Sequence, residues 1–167
     1  MLACCVAGLA TAAEPVLAEK DVTEEALVQA LARPDPAAEP QVRARGIRPT
    51  ERSTDGGRAG LLITFVVDSA QLSDSARAAL GTTARAMRSQ RLAGLAFTVE
   101  GHADPRGDAD HNQRLSQARA ESVVRHLSEV EGIARERLSP VGLGASRLIN
   151  KDEPAAPENR RVSIVTR

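Results

Sequence analysis

The sequence predicts an α/β sandwich of the α+β kind, running β-α-β-α-β-β, with its helices packed on one face of a mixed sheet. Three observations predict it. Residues 61–67 (LLITFVV) form an unbroken apolar run rich in β-branched side chains, the pattern of a strand covered on both faces. Residues 95–100 (LAFTVE) and 161–166 (RVSIVT) alternate instead. That puts Leu95, Phe97 and Val99 on one face, and Val162, Ile164 and Thr166 on another, as half-buried strands require. Between the strands lie two stretches of helical period: Ala76, Leu80, Ala84 and Met87, then Leu115, Arg119, Val123 and Leu127.

Taken in order, residues 2–10 are an apolar run closed by small residues, with an A-x-A site at Ala10 to Ala12. Residues 1–20 therefore read as a signal peptide, truncated because its basic start is missing. The run is too short to span a bilayer. Its removal takes Cys4 and Cys5 with it, so no disulfide is expected. Residues 21–60 read as a short helix followed by a linker. Thr23 caps the helix, Glu24 and Glu25 suit its positive end, and Ala26, Leu27, Ala30 and Leu31 make its apolar stripe. A helix this short must dock or fray. Pro34, Pro36, Pro40 and Pro49, then Gly56, Gly57 and Gly60, mark an extended stretch that builds no core, and the domain itself is set at 61–167.

Within the domain, Ser73 is placed to cap the first long helix, which ends near Gln90. The second spans 112–130 and stops at Gly132, a suitable C′ residue. Residues 137–142 form a brief strand, 142–144 a hinge, and 151–158 a polar, proline-containing loop.

Composition excludes some functions. With 22 basic and 22 acidic residues, no Trp, no Tyr and two Phe, neither bulk charge nor base stacking favours nucleic acid. There is no G-x-S-x-G, no H-E-x-x-H and no cysteine after Cys5, so no nucleophile or zinc-hydrolase motif points to catalysis. No cofactor is expected, and no membrane span in the mature chain.

The candidate site comes from a misfit. Arg119 interrupts an otherwise apolar stripe, so its guanidinium must reach water or meet an acceptor. The nearest candidate acceptors lie in the strand-to-helix loop before it: Asp104, Asp108 and Asp110. The same loop offers a second reading as a metal site or metal-dependent hydrolase built on His102, Asp104, Asp108, Asp110 and His111. Against it, the segment lacks calcium-loop spacing, and acids before a helix serve as caps.

Four motifs, in order, give a resemblance: 65–72 (FVVDSAQL), 101–107 (GHADPRG), 112–120 (NQRLSQARA) and 159–162 (NRRV). The chain from about Leu61 to Thr166 resembles the OmpA C-terminal-like domain of OmpA-type proteins, peptidoglycan-associated lipoproteins and flagellar stator subunits. The resemblance implies a periplasmic domain, at the cell wall and the outer membrane, that binds peptidoglycan non-covalently through the diaminopimelate of its stem peptide. It implies that Asp104 and Arg119 hold the ligand's ammonium and carboxylate, with Asp68, Asn112 and Leu115 lining the groove. His102 and Ala103 would offer backbone groups beside it, and Arg161 would brace the Asp104 loop. An envelope partner would engage the N-terminal segment. The chain departs from the family pattern at Val66, Asp68, Ala145 and Leu148.

Overall fold

A computed structural model describes residues 15–32, 57–65 and 69–167. Five strands form one sheet in the order β1-β2-β5-β3-β4. They are β1 (Val16–Ala18), β2 (Arg58–Leu62), β3 (Phe97–Gly101), β4 (Leu138–Gly142) and β5 (Val162–Thr166). β1 runs parallel to β2 and β3 parallel to β4, while β5 sits between β2 and β3, antiparallel to both. The helices are α1 (Glu24–Leu31), α2 (Asp74–Arg88) and α3 (Ala109–Arg125). The mixed sheet with helices packed against it is the architecture expected from the sequence.

Strand register follows from the alternation. Ala59, Ile164 and Val99 lie in one cross-strand row, as do Leu61, Val162 and Gly101, and these positions face the core. Phe97, Val99, Leu61 and Ile164 are fully buried there with Leu80 and Met87 of α2 and Val123 of α3. Each side chain of this size removed from water contributes about 1.5–3 kcal/mol. The helix ends are as the local chemistry requires. The Thr23, Ser73 and Asp108 side chains accept from Ala26, Ala76 and His111 backbone N–H groups, and Gly132 takes φ 70° just past the helix.

Three boundaries differ from expectation. The first domain strand ends at Leu62 rather than running to 67, because Phe65 leaves the ladder to pair with Leu72; residues 66–68 lie outside the described residues. The second long helix begins at Ala109, since Asp108 is its cap, and after Arg125 it loosens into a π-helical turn, His126–Val130. β1 and α1 share the core of the 61–167 unit: Leu27 and Leu31 are fully buried, and the Thr166 hydroxyl donates to the Leu31 carbonyl at 2.7 Å. The short helix docks rather than frays, and β1 overlaps the 1–20 segment. The signal-peptide motif and the proline-rich stretch, at 1–14 and 33–56, lie outside the described residues.

Two glycines set the position of α3. Gly101 and Gly142 are register partners on the helix-facing side of β3 and β4. A Cβ on Gly101 would stand 2.1 Å from the Ser116 carbonyl oxygen, and one on Gly142 would stand 2.5 Å from the Gln117 nitrogen. The missing side chains let the helix backbone rest on the strands. Polar side chains of α3 then satisfy the end of β4: Gln113 donates to the Gly142 carbonyl, while Gln117 and Ser116 accept from the Gly142 and Gly144 N–H groups. This seat fixes where Arg119 emerges.

Candidate functional site

Arg119 lies where the buried stripe of α3 reaches the surface. Val123 and Leu127 are sealed, and Leu115 and Arg119 are half-buried. Its Nε donates to the Ser69 carbonyl at 3.1 Å, and its guanidinium lies 4.9 Å from the centre of the Phe65 ring. Arg119 lines a cleft of about 280 Å³ together with Leu62 to Phe65 at the end of β2, His102, Pro157, Arg160 and Arg161. The arginine meets an acceptor, as its place in the stripe demands, and among the described residues that acceptor comes from the loop before α2 rather than from the acids before α3.

Asp104 is buried in the β3–α3 loop and held by two other arginines. Its Oδ1 accepts from the Arg106 backbone N–H at 3.1 Å and the Arg106 Nε at 3.2 Å. Its Oδ2 accepts from one guanidinium nitrogen of Arg106 and one of Arg160, each at 2.8 Å. The hydrogen bond from Arg106 outweighs burial and, with Arg160, lowers the carboxyl from an ordinary 3.8 to about 2. The expected direct Asp104–Arg119 pairing is therefore replaced by an arginine relay, in which Arg160 joins Asp104 to the cleft that Arg119 lines.

The loop that delivers those arginines is organised by Asn159, which is fully buried. Its Oδ1 accepts from the Ile149 and Asn150 N–H groups, and its Nδ2 donates to the carbonyls of Asn150, Glu153 and Pro154. One amide thus closes a ten-residue loop, so that the residues after it leave on opposite sides. Arg160 goes to Asp104. Arg161 turns inward, 4% exposed, and donates to the Arg147 carbonyl. Arg161, expected to brace the Asp104 loop, reaches it through its carbonyl, which accepts from the His102 N–H at 2.9 Å, and the Arg160 side chain adds a direct bond to Asp104.

The other expected site residues divide. Asn112 donates to the carbonyls of Asp104 and Arg106, pinning the loop, and lines a separate hollow with Pro105 and Gly144. The N–H groups expected from His102 and Ala103 are taken by Arg161 and Gly144 carbonyls. Asp68 lies outside the described residues. The five-residue metal cluster is dispersed. Asp108 is a helix cap, Asp104 is held by arginines, and His102 is buried against Ser163. Among the described residues no group of three or more His, Cys, Asp or Glu is placed to hold a metal ion.

Sequence reasoning missed Glu100, 8% exposed on the sheet face opposite the helices. It bonds Arg58 at 2.5 Å, lies 3.6 Å from His102 Nε2, and meets Arg147 at 3.5 Å. Burial pushes its carboxyl up, yet the bonds to His102 and Arg58 prevail and lower it from 4.5 to about 2. Ser163 and Glu100 both approach the same nitrogen of His102, and Ser163 is fully buried. That arrangement cannot relay a proton as a nucleophile–base–acid chain does, for which serine and acid must flank opposite ring nitrogens.

With this geometry, the comparisons with known proteins are consistent. The model of the OmpA family matches residues 64–161. The outer-membrane lipoprotein YfiB of Pseudomonas aeruginosa is 42% identical over 69 residues, 40% of each chain. The peptidoglycan-associated lipoprotein of the same organism is 32% identical over 109 residues, 64% of this chain and 62% of that protein. This chain thus matches less than two thirds of the length of either relative. The crystal structure of the peptidoglycan-associated lipoprotein from Burkholderia pseudomallei superposes with a TM-score of 0.53 at 30% identity, covering 63% of this chain and 88% of that one. The family match takes in the Asp104 loop, the arginine-delivering loop and the cleft residues other than Leu62 and Ile63, and the chain belongs to the OmpA family.

Proposed function

We propose that this chain binds peptidoglycan non-covalently in the periplasm, at the outer membrane, and tethers itself or a partner to the cell wall. The ligand group is the diaminopimelate of the stem peptide. The observation that carries this reading is the cleft that Arg119 and Arg160 both line, with Arg160 joined to the carboxylate of Asp104. A zwitterionic amino-acid end needs an anion and a bidentate cation within a few ångströms, and an Asp–Arg relay supplies both without bulk charge. Asp68, between Phe65 and Ser69 in the chain, is assigned to the same groove, with Leu115 one turn before Arg119. His102 lines its wall, Ala103 is assigned beside it, and Asn112 holds the loop. That relatives are named peptidoglycan-associated lipoproteins supports the wall as target.

The role is binding rather than catalysis. A carboxyl held at about 2 is ionised at neutral pH and makes a poor general acid, and this applies to Glu100 as well as Asp104. The test is sedimentation with purified sacculi, comparing wild type, Asp104→Ala and Arg119→Ala. Both variants are expected to keep the wild-type circular dichroism and lose sedimentation. Wild-type chain left in the supernatant, or folded variants that sediment fully, would end the reading. Soluble muropeptides released in the same tubes would mark a hydrolase, and loss of binding on chelation would mark a metal site.

An envelope partner is assigned to the N-terminal segment. Because β1 and α1 belong to the core and residues 1–14 read as a signal peptide, the test replaces residues 33–56 with a short Gly-Ser link. Unchanged location and partners would discard that assignment.

A further inference from the structure

The two arginines on Asp104 are not equivalent. Arg160 is anchored: besides Asp104 it donates to the Ala155 carbonyl at 3.0 Å, and it follows the turn that Asn159 locks. The side-chain hydrogen bonds of Arg106 go to Asp104, and its side chain is 66% exposed. Yet this exposed group takes a place on both carboxylate oxygens and leaves the Asp104 side chain 7% exposed. A ligand ammonium and the Arg106 guanidinium need the same lone pairs, so they cannot be held together at full strength.

We propose that Arg106 is a latch over Asp104, displaced when a ligand ammonium takes its place, so that ligand selection at this site is an exchange of one cation for another. The inference rests on the peptidoglycan-binding reading and adds a residue that sets its affinity. The exchange is inexpensive. An ion pair with a partner this exposed contributes little, and exposed side chains reorient within nanoseconds. The backbone N–H of Arg106 stays on Oδ1 after the guanidinium leaves, so the loop keeps its turn while the acceptors open. Arg160 remains to hold the carboxylate ionised. The latch also discriminates. A neutral hydroxyl or an acylated amine does not replace the lost charge, whereas an ammonium does.

The experiment measures binding of the full chain to purified sacculi whose stem peptides carry free amines, and to the same sacculi after N-acetylation. Wild type, Arg106→Ala, Arg106→Gln and Arg114→Ala are compared, the last removing an exposed positive charge from the same end of α3 without uncovering Asp104. Arg106→Ala and Arg106→Gln are expected to bind untreated sacculi about two- to fivefold more tightly than wild type, the range set by an exposed ion pair. The gain is expected to shrink in high salt and to vanish on acetylated sacculi. Arg114→Ala is expected to match wild type. If wild type binds but both Arg106 variants bind equally or more weakly, or if Arg114→Ala gains as much, the latch is wrong and the site reading stands. If wild type itself fails to bind sacculi, the site reading fails and the latch falls with it. Thermal melting of each variant separates these outcomes from misfolding.

Discussion

Glu100 and Asp104 lie on either side of His102, and both are held ionised to about pH 2, but they do different work. Glu100 is on a strand, in register with Ser163 of the neighbouring strand, and its principal cation, Arg58, is itself 80% covered at 20% side-chain exposure. Asp104 is in a loop, and its leading cation is 66% exposed. The Glu100 network is mostly covered: carboxylate, imidazole, hydroxyl and the Arg58 guanidinium lie together inside the sheet face, and the exposed Arg147 adds only a long contact. The Asp104 network is open on one side. A lowered carboxyl alone thus does not separate a site from a brace; under the proposed function, the exposure of the leading partner is what distinguishes Asp104 from Glu100.

The comparison breaks most sharply under truncation of Glu100. Glu100→Ala leaves Arg58 and His102 facing an empty acceptor, and removing one partner of a buried pair costs several kcal/mol. Because Arg147, at 59% exposure, can turn to water, about 2–4 kcal/mol is expected, read as a lower urea midpoint. The fraction that remains folded should sediment with sacculi like wild type. Asp104→Ala is expected to do the reverse, losing about 1–2 kcal/mol with the Arg106 and Arg160 bonds while abolishing sedimentation. If both substitutions cost equal stability and both abolish binding, the division between brace and site is wrong.

Acid tests the same pair. Each carboxyl has a folded value below its ordinary 4.5 or 3.8, so each adds stability that is complete above those values and is lost as pH falls towards about 2. Urea midpoints should therefore fall between about pH 5 and pH 2. Glu100→Gln, which cannot titrate, should start lower at neutral pH and fall less steeply through that window. An unchanged acid slope in Glu100→Gln would remove Glu100 from the set of groups that make the fold acid-sensitive.

What the sequence made legible was local. Caps at Thr23 and Ser73, the stop at Gly132 and the alternation of 95–100 and 161–166 depend on neighbours a few residues apart, and these elements stand where expected. What it hid depended on distant chain. Alternation places Glu100 on the face away from the core and so in water, yet Arg58 and Arg147 fold over it. Among the described residues Arg119 donates to a backbone carbonyl at Ser69, which no side-chain pattern announces. Arg160 and Arg161 are adjacent identical residues, and only the Asn159 loop decides which reaches Asp104 and which turns inward. The family motifs lie within or at the edge of the matched stretch 64–161, while the pairing inside them came from geometry.

The smallest expected effect makes the finest distinction. Arg147 stands to Glu100 as Arg106 stands to Asp104: each is the more exposed of two arginines on a buried carboxylate. At 3.5 Å, Arg147 makes a long contact that is redundant beside Arg58, and the Arg147 carbonyl that receives Arg161 is backbone. Arg147→Ala should therefore change the urea midpoint by no more than about 0.5 kcal/mol and leave sacculus binding alone. Arg106→Ala should be equally mild for stability but raise affinity. Exposure is similar, at 66% and 59%, stability cost would be similar and binding different, so that the difference belongs to the carboxylate underneath. An affinity gain in Arg147→Ala as large as in Arg106→Ala would instead assign both effects to loss of positive charge near the cleft.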